Sequence, residues 1–146
     1  MPKLFTLQEA ERTIPLVEER LNQAIEAKRE ASKISQQLEA VSTRIHFSGG
    51  ADVNPGTVLK QRHQKEEAIR KLREAVDSVQ KMGCLIKDLD TGLIDFPAAL
   101  NDREVYLCWK LGEPRIDFWH NVDDGFAGRQ PILDDFGPHA EALRPN

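Results

Sequence analysis

The sequence predicts an α+β fold, in which a long N-terminal antiparallel helical hairpin of coiled-coil type precedes a small antiparallel β-meander of three or four strands. Apolar residues recur at a mean spacing of 3.5 from Ala10 to Ile45, which is the spacing of a coiled-coil seam. Beyond Gly83 the apolar spacing changes to two, which is typical of strands, and short turn sequences separate the segments. These two patterns predict the two halves of the fold.

The first helix is expected to begin at Leu7. Thr6 and Glu9 have the spacing of a capping box, in which the Thr6 hydroxyl accepts a hydrogen bond from the Glu9 backbone N–H. The seam then consists of Ala10, Ile14, Val17, Leu21, Ala24, Ala27, Ala31, Ile34, Leu38, Val41 and Ile45. Pro15 lies within this pattern and lacks the N–H that a helix interior uses, so we expect a kink or a break there.

A second helix is expected after a flexible connection at residues 48–56, with its end near Gly83. Its apolar residues recur at spacings of 3, 4 and 3, at Ile69, Leu72, Val76 and Val79. Residues 60–67 contain no apolar side chain, so the first two turns of this helix are expected to lie in water.

The two apolar stripes form only a thin core, partly because the seam contains three alanines, at 24, 27 and 31. A second copy of the hairpin can cover the remaining apolar sides as an intermolecular four-helix bundle. We therefore expect a homodimer through the hairpin. The alternative is a monomer in which the sheet covers the stripes.

Strands are expected at residues 85–87, 93–96, 104–110 and 115–120. If Lys110 faces Arg115 across the turn at 111–114, then Cys108 pairs with Asp117 and Tyr106 pairs with Trp119. The face toward the helices then carries Ile94, Phe96, Val105, Leu107, Trp109, Ile116, Phe118 and His120. The opposite face carries Asp95, Glu104, Tyr106, Cys108, Lys110, Arg115, Asp117 and Trp119. A shift of one residue exchanges the faces of a strand, so the patterning favours this register.

Length and composition indicate one globular domain over residues 1–146. The chain has 40% hydrophobic and 30% charged residues, which excludes collagen-like and wholly disordered classes. We divide it into a helical hairpin at 4–83, a meander with a loop at 84–133, and an extended or frayed tail at 134–146. Cys84 and Cys108 are the only two cysteines and are expected to be reduced.

Charge is distributed unevenly along the chain. Residues 1–83 hold 14 Lys and Arg against 12 Asp and Glu, whereas residues 84–146 hold 6 against 12. The overall net charge of -4 disfavours nucleic acid as a partner. No apolar run approaches the ~20 residues that cross a bilayer, and no secretory leader is evident, so we expect a cytoplasmic protein without a membrane partner.

Several short segments fit one pattern, in the same order, along about residues 4–133. They include Gly92-Leu93-Ile94-Asp95-Phe96-Pro97, Arg103-Glu104-Val105-Tyr106-Leu107-Cys108-Trp109, Gly112-Glu113-Pro114, Trp119-His120, and Gly125-Phe126 with Gly128-Arg129. The most specific are the pieces 93–97, 103–109 and 119–120, in that order. On these segments the chain resembles the small prokaryotic family catalogued as domain of unknown function 2203 (DUF2203). The family pattern often has a glycine before Arg103, where this chain has Asp102. The resemblance implies no reaction and no catalytic residue.

Candidate catalytic residues come from the predicted sheet and are Asp95, Glu104 and His120. Two carboxylates on one face can form a carboxylate metal site or an acid/base pair. Cross-strand ion pairs, such as Lys110 or Arg115 with Asp117, explain the polar face equally well.

His120 is expected on the inward face at a strand end, near Arg129. There it could be a general base or a metal ligand, or a core-rim histidine bonded to the backbone. A zinc site from Cys84, Cys108 and His120 is disfavoured because their spacing fits no metal motif and because Cys108 is predicted to face away from His120. We therefore expect no metal and no other cofactor.

Ligand-binding candidates are Tyr106, Lys110, Trp119, His120 and Arg129. Tyr106 and Trp119 are predicted on the exposed face, where a ring could stack on a ligand. The loop from Gly125 to Arg129 could hold an anion through its amides and guanidinium, or it could be a structural loop in which Arg129 pairs with a nearby acid.

The preferred hypothesis is a non-enzymatic, oligomeric adaptor that binds a protein or a small ligand through its sheet half. The first alternative is a small metal-dependent or acid/base enzyme with its site near Asp95, Glu104, His120 and Arg129. The second alternative is RNA binding by the hairpin tip, whose basic residues are interrupted by acids; these basic residues are Lys28, Arg29, Lys33, Arg44, Lys60, Arg62 and Lys65.

Overall fold

The computed structural model describes residues 3–50 and 53–140 and has the predicted α+β architecture. The helices are α1 (Leu7–Ser48) and α2 (Pro55–Lys81). The strands are β1 (Leu85–Asp88), β2 (Leu93–Leu100), β3 (Arg103–Lys110), β4 (Phe118–Asn121) and β5 (Gln130–Pro131). They form one antiparallel sheet in the order β1-β2-β3-β4-β5, which is a meander with one strand more than expected.

Helix α1 begins as its capping sequence predicts. The Glu9 backbone N–H donates to the Thr6 hydroxyl over 3.1 Å, and the Ala10 N–H donates to the Thr6 carbonyl. Pro15 lies inside the helix, which continues to Ser48, so the expected break does not occur. The nine residues from Leu7 to Pro15 place the proline in the third turn, and the packing of Ile14 and Val17 in the core holds the helix around it.

Helix α2 begins about one turn earlier than expected. The Asn54 side-chain oxygen accepts hydrogen bonds from the Gly56 and Thr57 backbone N–H groups, and Pro55 occupies the first helical position, where its missing N–H costs nothing. Asn54 and Pro55 are thus a helix start and not part of a flexible connection. Among the described residues, neither helix has the apolar stretch that a bilayer crossing requires.

The chain divides into two compact units: Met1–Leu21 with Val76–Asn146, and Asn22–Ala75. The second unit is a pair of helical segments with a thin core. Its buried apolar side chains are Ala24, Ala27, Ile34, Ala68 and Ala75, of which four are alanines. On its surface Arg70 pairs with Glu67 and Glu74, and Gln61 contacts Gln37 across the hairpin. The single domain over residues 1–146 stays a prediction.

The first unit contains a sheet whose inner face packs on the two helix ends that belong to it. Trp109 is fully buried, and its indole N–H donates to the Glu113 carbonyl over 2.9 Å. The residues predicted to face the helices from β2 and β3 are buried as expected: Ile94, Phe96, Val105, Leu107 and Trp109. Helix α1 supplies the facing apolar residues Leu7, Ala10, Ile14, Val17 and Leu21.

The register of β4 differs by one residue from the predicted register. Cys108 pairs with Phe118, Leu107 with Trp119, and Tyr106 with His120. Glu113 bonds back to Lys110 through both its backbone N–H and its carboxylate, and the next strand begins only at Phe118. The connection after Lys110 is therefore longer than a tight turn. The shift exchanges the faces of β4, since side chains alternate along a strand.

The C-terminal segment is more ordered than the expected extended or frayed tail. Asp134–Phe136 form a turn of 3-10 helix, the Phe136 ring lies 5.9 Å from the Trp119 ring, and Ala140 is buried. Residues 141–146 of the predicted tail lie outside the described residues.

Buried Glu11 of α1 holds this segment. Its carboxylate accepts hydrogen bonds from the Ile116 N–H (3.0 Å), the Ala140 N–H (2.7 Å) and His139 Nδ1 (2.8 Å). One side chain of the first helix therefore satisfies two backbone donors far along the sequence.

The β2–β3 turn offers a first testable prediction. Asn101 and Asp102 have φ angles of 51° and 64°, the left-handed values that a two-residue type I′ hairpin requires. Glycine adopts such angles without strain, so Asp102→Gly is expected to raise the free energy of unfolding by about 0.5 kcal/mol in urea titrations. Asp123→Gly removes the same charge at a residue without positive φ and should not stabilise. A lower urea midpoint for Asp102→Gly would contradict the prediction.

Candidate metal centre

The register of the sheet brings three polar side chains together on the face opposite the helices. The two-residue turn at Asn101 and Asp102 places Asp95 of β2 opposite Cys108 of β3. The β4 pairing places His120 opposite Tyr106, which lies two residues from Cys108 on β3 and on the same face of the sheet. Asp95, Cys108 and His120 are all buried. Each offers one ligand atom, and these three atoms lie within 4.8 Å of one another.

Asp95 and His120 are joined by a buried hydrogen bond. His120 Nε2 lies 3.0 Å from Asp95 Oδ1, and His120 Nδ1 lies 2.8 Å from the carbonyl oxygen of Asn121. A carbonyl oxygen only accepts, so Nδ1 carries a hydrogen and donates it. Nε2 and Oδ1 then share one further proton. The backbone carbonyl fixes the orientation of the imidazole ring.

The second carboxylate oxygen of Asp95 is buried and has no hydrogen-bond partner among the described residues. Lys87 Nζ lies 3.9 Å from it, beyond hydrogen-bond distance. Burial raises the pKa of Asp95 above its usual range, and the contacts with His120 and Cys108 and the charge of Lys87 oppose this effect. A buried carboxylate oxygen without a donor is costly, so this atom is a candidate ligand for a cation.

Cys108 has the character of a protonated, unreactive thiol. Burial raises its pKa to about 11, although the nearby Arg129 charge lowers it. Nucleophilic cysteines have depressed pKa values, so this thiol is a poor nucleophile at neutral pH. A metal ion, by contrast, deprotonates a coordinating thiol outright.

Lys87 and Tyr106 lie at the edge of the cluster nearest to solvent. The Tyr106 ring packs edge-on against the His120 ring at 5.5 Å, and Lys87 Nζ lies 5.1 Å from the Tyr106 ring centroid. Burial, together with neighbouring acidic charges, raises the pKa of the Tyr106 hydroxyl. Tyr106 thus packs against one of the three cluster residues, and Lys87 lies beside another.

Arg129 is held on the other side of Cys108. Its guanidinium lies between the Phe118 and Phe126 rings, at 4.2 and 4.6 Å from their centroids. Nη2 donates to Glu113 Oε1 over 2.8 Å and to the Cys108 carbonyl over 3.4 Å. The loop from Gly125 to Arg129 thus places Arg129 in an ion pair with Glu113. This agrees with the second interpretation of the loop given above, in which Arg129 pairs with a nearby acid.

Comparison with known families agrees with the sequence resemblance. The sequence model of the family described as "Uncharacterized conserved protein (DUF2203)" matches residues 3–132, nearly the whole chain. The chain belongs to the DUF2203 family. No curated protein and no solved structure matches this DUF2203 protein.

Three expectations about the site of this DUF2203 protein are wrong. His120 does not lie on the inward face, and Cys108 does not face away from it, because the one-residue shift of β4 turns His120 toward Asp95 and Cys108. The same shift turns Trp119 into the core, where it is buried and is not available to stack on a ligand.

The remaining predicted residues lie apart from the buried cluster. Glu104 is exposed at the β2–β3 turn end, opposite Ala99. Lys110 is exposed at the opposite end of β3 and pairs with Leu93. The structure therefore brings together Asp95, His120 and Tyr106 from the predicted set, with Arg129 adjacent to Cys108.

Sequence reasoning missed Lys87 as a site residue of the DUF2203 protein. It placed Cys108 on the same sheet face as Asp95 but disfavoured it as a metal ligand together with His120. The cross-strand pairing of Asp95 with Cys108 could have been predicted if Asn101 and Asp102 had been taken as the two residues of a hairpin turn. Lys87 gave no such signal, because it lies at an irregularity in β1 pairing between Ile86 and Asp88.

Proposed function

We propose that this protein binds a zinc-class divalent ion through Asp95, Cys108 and His120 and uses it in hydrolytic chemistry. The observation that carries the proposal is the convergence of a carboxylate oxygen, a thiol sulfur and an imidazole nitrogen, all buried, within 4.8 Å. Zinc accepts all three ligand types, whereas magnesium and calcium prefer oxygen alone. The ion would replace the proton that Asp95 and His120 share.

The surroundings of His120 support this proposal. Ligand histidines almost always donate their second ring N–H to a carbonyl or carboxylate, and His120 Nδ1 donates to the Asn121 carbonyl in this way. The free Oδ2 of Asp95 offers a second oxygen to the ion or to its bound water. Three protein ligands leave one coordination position open, which is the arrangement of catalytic zinc sites, where the bound water has a pKa of about 7.

Two other reactions of the same residues are less well supported. Nucleophilic attack by Cys108 requires a thiolate, and burial holds its pKa at about 11. Direct acid/base catalysis requires that His120 reach a substrate, but its side chain is only 3% exposed. A metal ion deprotonates the thiol that it binds, so coordination by Cys108 needs no free thiolate beforehand.

Cobalt titration of the purified chain tests the proposal. We expect one Co²⁺ per chain, a thiolate-to-cobalt charge-transfer band in the near ultraviolet, and release of the Cys108 proton on binding. Cys108→Ala should abolish the band. Cys84→Ala is the matched control, because Cys84 is equally buried, lies outside the cluster, and should leave the band unchanged.

Metal-dependent hydrolysis is the second part of this test. The zinc-loaded wild type and Cys84→Ala should hydrolyse an activated ester or phosphate ester, and Cys108→Ala should not. Absence of cobalt binding, or an identical band in wild type and Cys108→Ala, would overturn the proposal.

A second proposal concerns assembly: we propose that the hairpin forms a homodimer, with a second copy covering its apolar side chains. Phe47 is 80% exposed and Leu59 is 59% exposed in the Asn22–Ala75 unit, whose own core consists mostly of alanines. Burial of two such side chains per protomer favours association. In this proposal the hairpin, and not Trp119 of the sheet, supplies the interaction surface that the adaptor hypothesis requires.

Sedimentation velocity over about 1 to 100 µM protein tests the dimer, because a dimer dissociates on dilution. We expect Phe47→Ser to weaken dimerisation by about tenfold or more, as removal of an aromatic anchor does. Val122→Ser, which alters an exposed apolar residue of the other unit, is the control and should have no effect. A monomer at every concentration contradicts the proposal.

A further inference from the structure

We propose that Lys87 makes the metal centre selective for an oxyanion ligand, the phosphate or carboxylate group of a substrate. The inference rests on the proposed function, because it concerns a ligand that binds beside the metal ion. Lys87 Nζ lies 3.9 Å from Asp95 Oδ2, the candidate ligand oxygen that has no hydrogen-bond partner. The Lys87 side chain is 43% exposed, whereas the Asp95 side chain is 1% exposed, so Lys87 is the member of the pair that contacts water.

The backbone of β1 positions this lysine. Ile86 pairs with Ile94 and Asp88 pairs with Leu93, so Lys87 lies at a β-bulge and has no paired residue on β2. A bulge redirects a side chain, and this one places Lys87 over Tyr106 and beside Asp95. The ammonium group thus lies at the solvent side of the three ligand atoms.

Lys87 supplies an uncompensated positive charge beside the metal-loaded site. A divalent ion displaces the proton that Asp95 and His120 share and the Cys108 proton, so the ion, the carboxylate and the thiolate together carry no net charge. The ammonium of Lys87 then lies beside a neutral centre. An oxyanion that binds both the ion and the ammonium compensates the charge of Lys87, so oxyanion and metal are expected to strengthen each other's binding.

Arg129 is a second cation adjacent to the cluster. Its Nη2 is already engaged, and its Nε, which has no hydrogen-bond partner among the described residues, is buried away from solvent. Its guanidinium is paired with Glu113 and lies between two aromatic rings, and its side chain is 14% exposed. Within residues 3–50 and 53–140, Lys87 has no hydrogen-bonded acid of this kind, since its contact with Asp95 is 3.9 Å long. The geometry therefore assigns oxyanion selection to Lys87.

The test is cobalt titration of the full chain with and without inorganic phosphate, and in a second arm with acetate. Without either anion, Lys87→Met should bind Co²⁺ with an affinity similar to that of wild type, because the two protons that are released offset the charge of the ion. Phosphate or acetate should raise the cobalt affinity of wild type and alter its visible spectrum. The stronger of the two arms identifies the oxyanion. Lys87→Met should lose this anion effect, and Lys87→Arg should retain it.

Lys110→Met is the matched control, because Lys110 is an exposed lysine on the same sheet face and should behave as wild type. Equal anion effects in wild type and Lys87→Met would overturn the role of Lys87 while leaving the metal site intact. If wild type and Lys110→Met bind no cobalt, the metal site itself fails, and the role of Lys87 fails with it.

Discussion

We expect Glu11→Ala to lower the free energy of unfolding by about 3–5 kcal/mol, because it leaves the buried N–H groups of Ile116 and Ala140 without an acceptor. Each unsatisfied buried donor costs about 1–3 kcal/mol, and loss of the contact with His139 adds to this. Urea unfolding monitored by tryptophan fluorescence measures the change. Trp119, which contacts Phe136 of the same segment, should report on it.

Two further variants make this prediction specific. Glu11→Gln keeps one acceptor oxygen and should cost about half as much as Glu11→Ala. Glu19→Ala changes an exposed glutamate of the same helix and should alter stability by less than about 0.5 kcal/mol. If Glu11→Ala and Glu19→Ala unfold at the same urea concentration, Glu11 does not hold the C-terminal segment.

His120→Ala is expected to cost about 3–5 kcal/mol at neutral pH, because it leaves the Asp95 carboxylate buried without its hydrogen-bonded partner. The loss should shrink in the double variant Asp95→Asn/His120→Ala, in which no charge remains to be paired. A double-mutant cycle of urea unfolding curves therefore gives a large coupling energy between the two residues. Additive losses would contradict the pairing.

The loss in His120→Ala should depend on pH. Burial raises the folded-state pKa of Asp95, and His120 is the largest contribution that opposes it, so the variant's pKa lies further above the unfolded value. An acid with a raised folded pKa binds its proton more tightly in the folded state, which favours folding in acid and is lost as pH rises through that pKa. The deficit should be larger at about pH 8 than at about pH 4.5. The opposite trend would show that Asp95 is not the destabilising group.

The helices and the inner sheet face could be predicted because they depend on repeating patterns. The seam from Ala10 to Leu21 needs only its period to predict burial, and these residues do form the core. The alternation in β3 likewise assigns Leu107 and Trp109 to the inner face without knowledge of any partner strand. Such predictions tolerate errors of a residue or two in the ends of the elements.

The site could be predicted only in part, because it depends on register between strands. A single residue in the connection between Lys110 and Phe118 decides whether His120 faces the core or faces Cys108, and no local pattern specifies that residue count. The connection is set instead by Glu113 and by Glu11, which binds the Ile116 N–H across 105 residues of sequence. A single glutamate in an amphipathic helix gives no sign of such a distant partner.

Glu11 also has a consequence for the order in which the chain acquires its structure during synthesis. The meander pairs only strands that are neighbours in sequence, so its hydrogen bonds can form as each strand leaves the ribosome. The donor of Glu11 at Ala140 lies 129 residues later in the chain. The Glu11 carboxylate therefore lacks these partners until residues 139 and 140 have been synthesised, and this closure of the core follows the pairing of the strands.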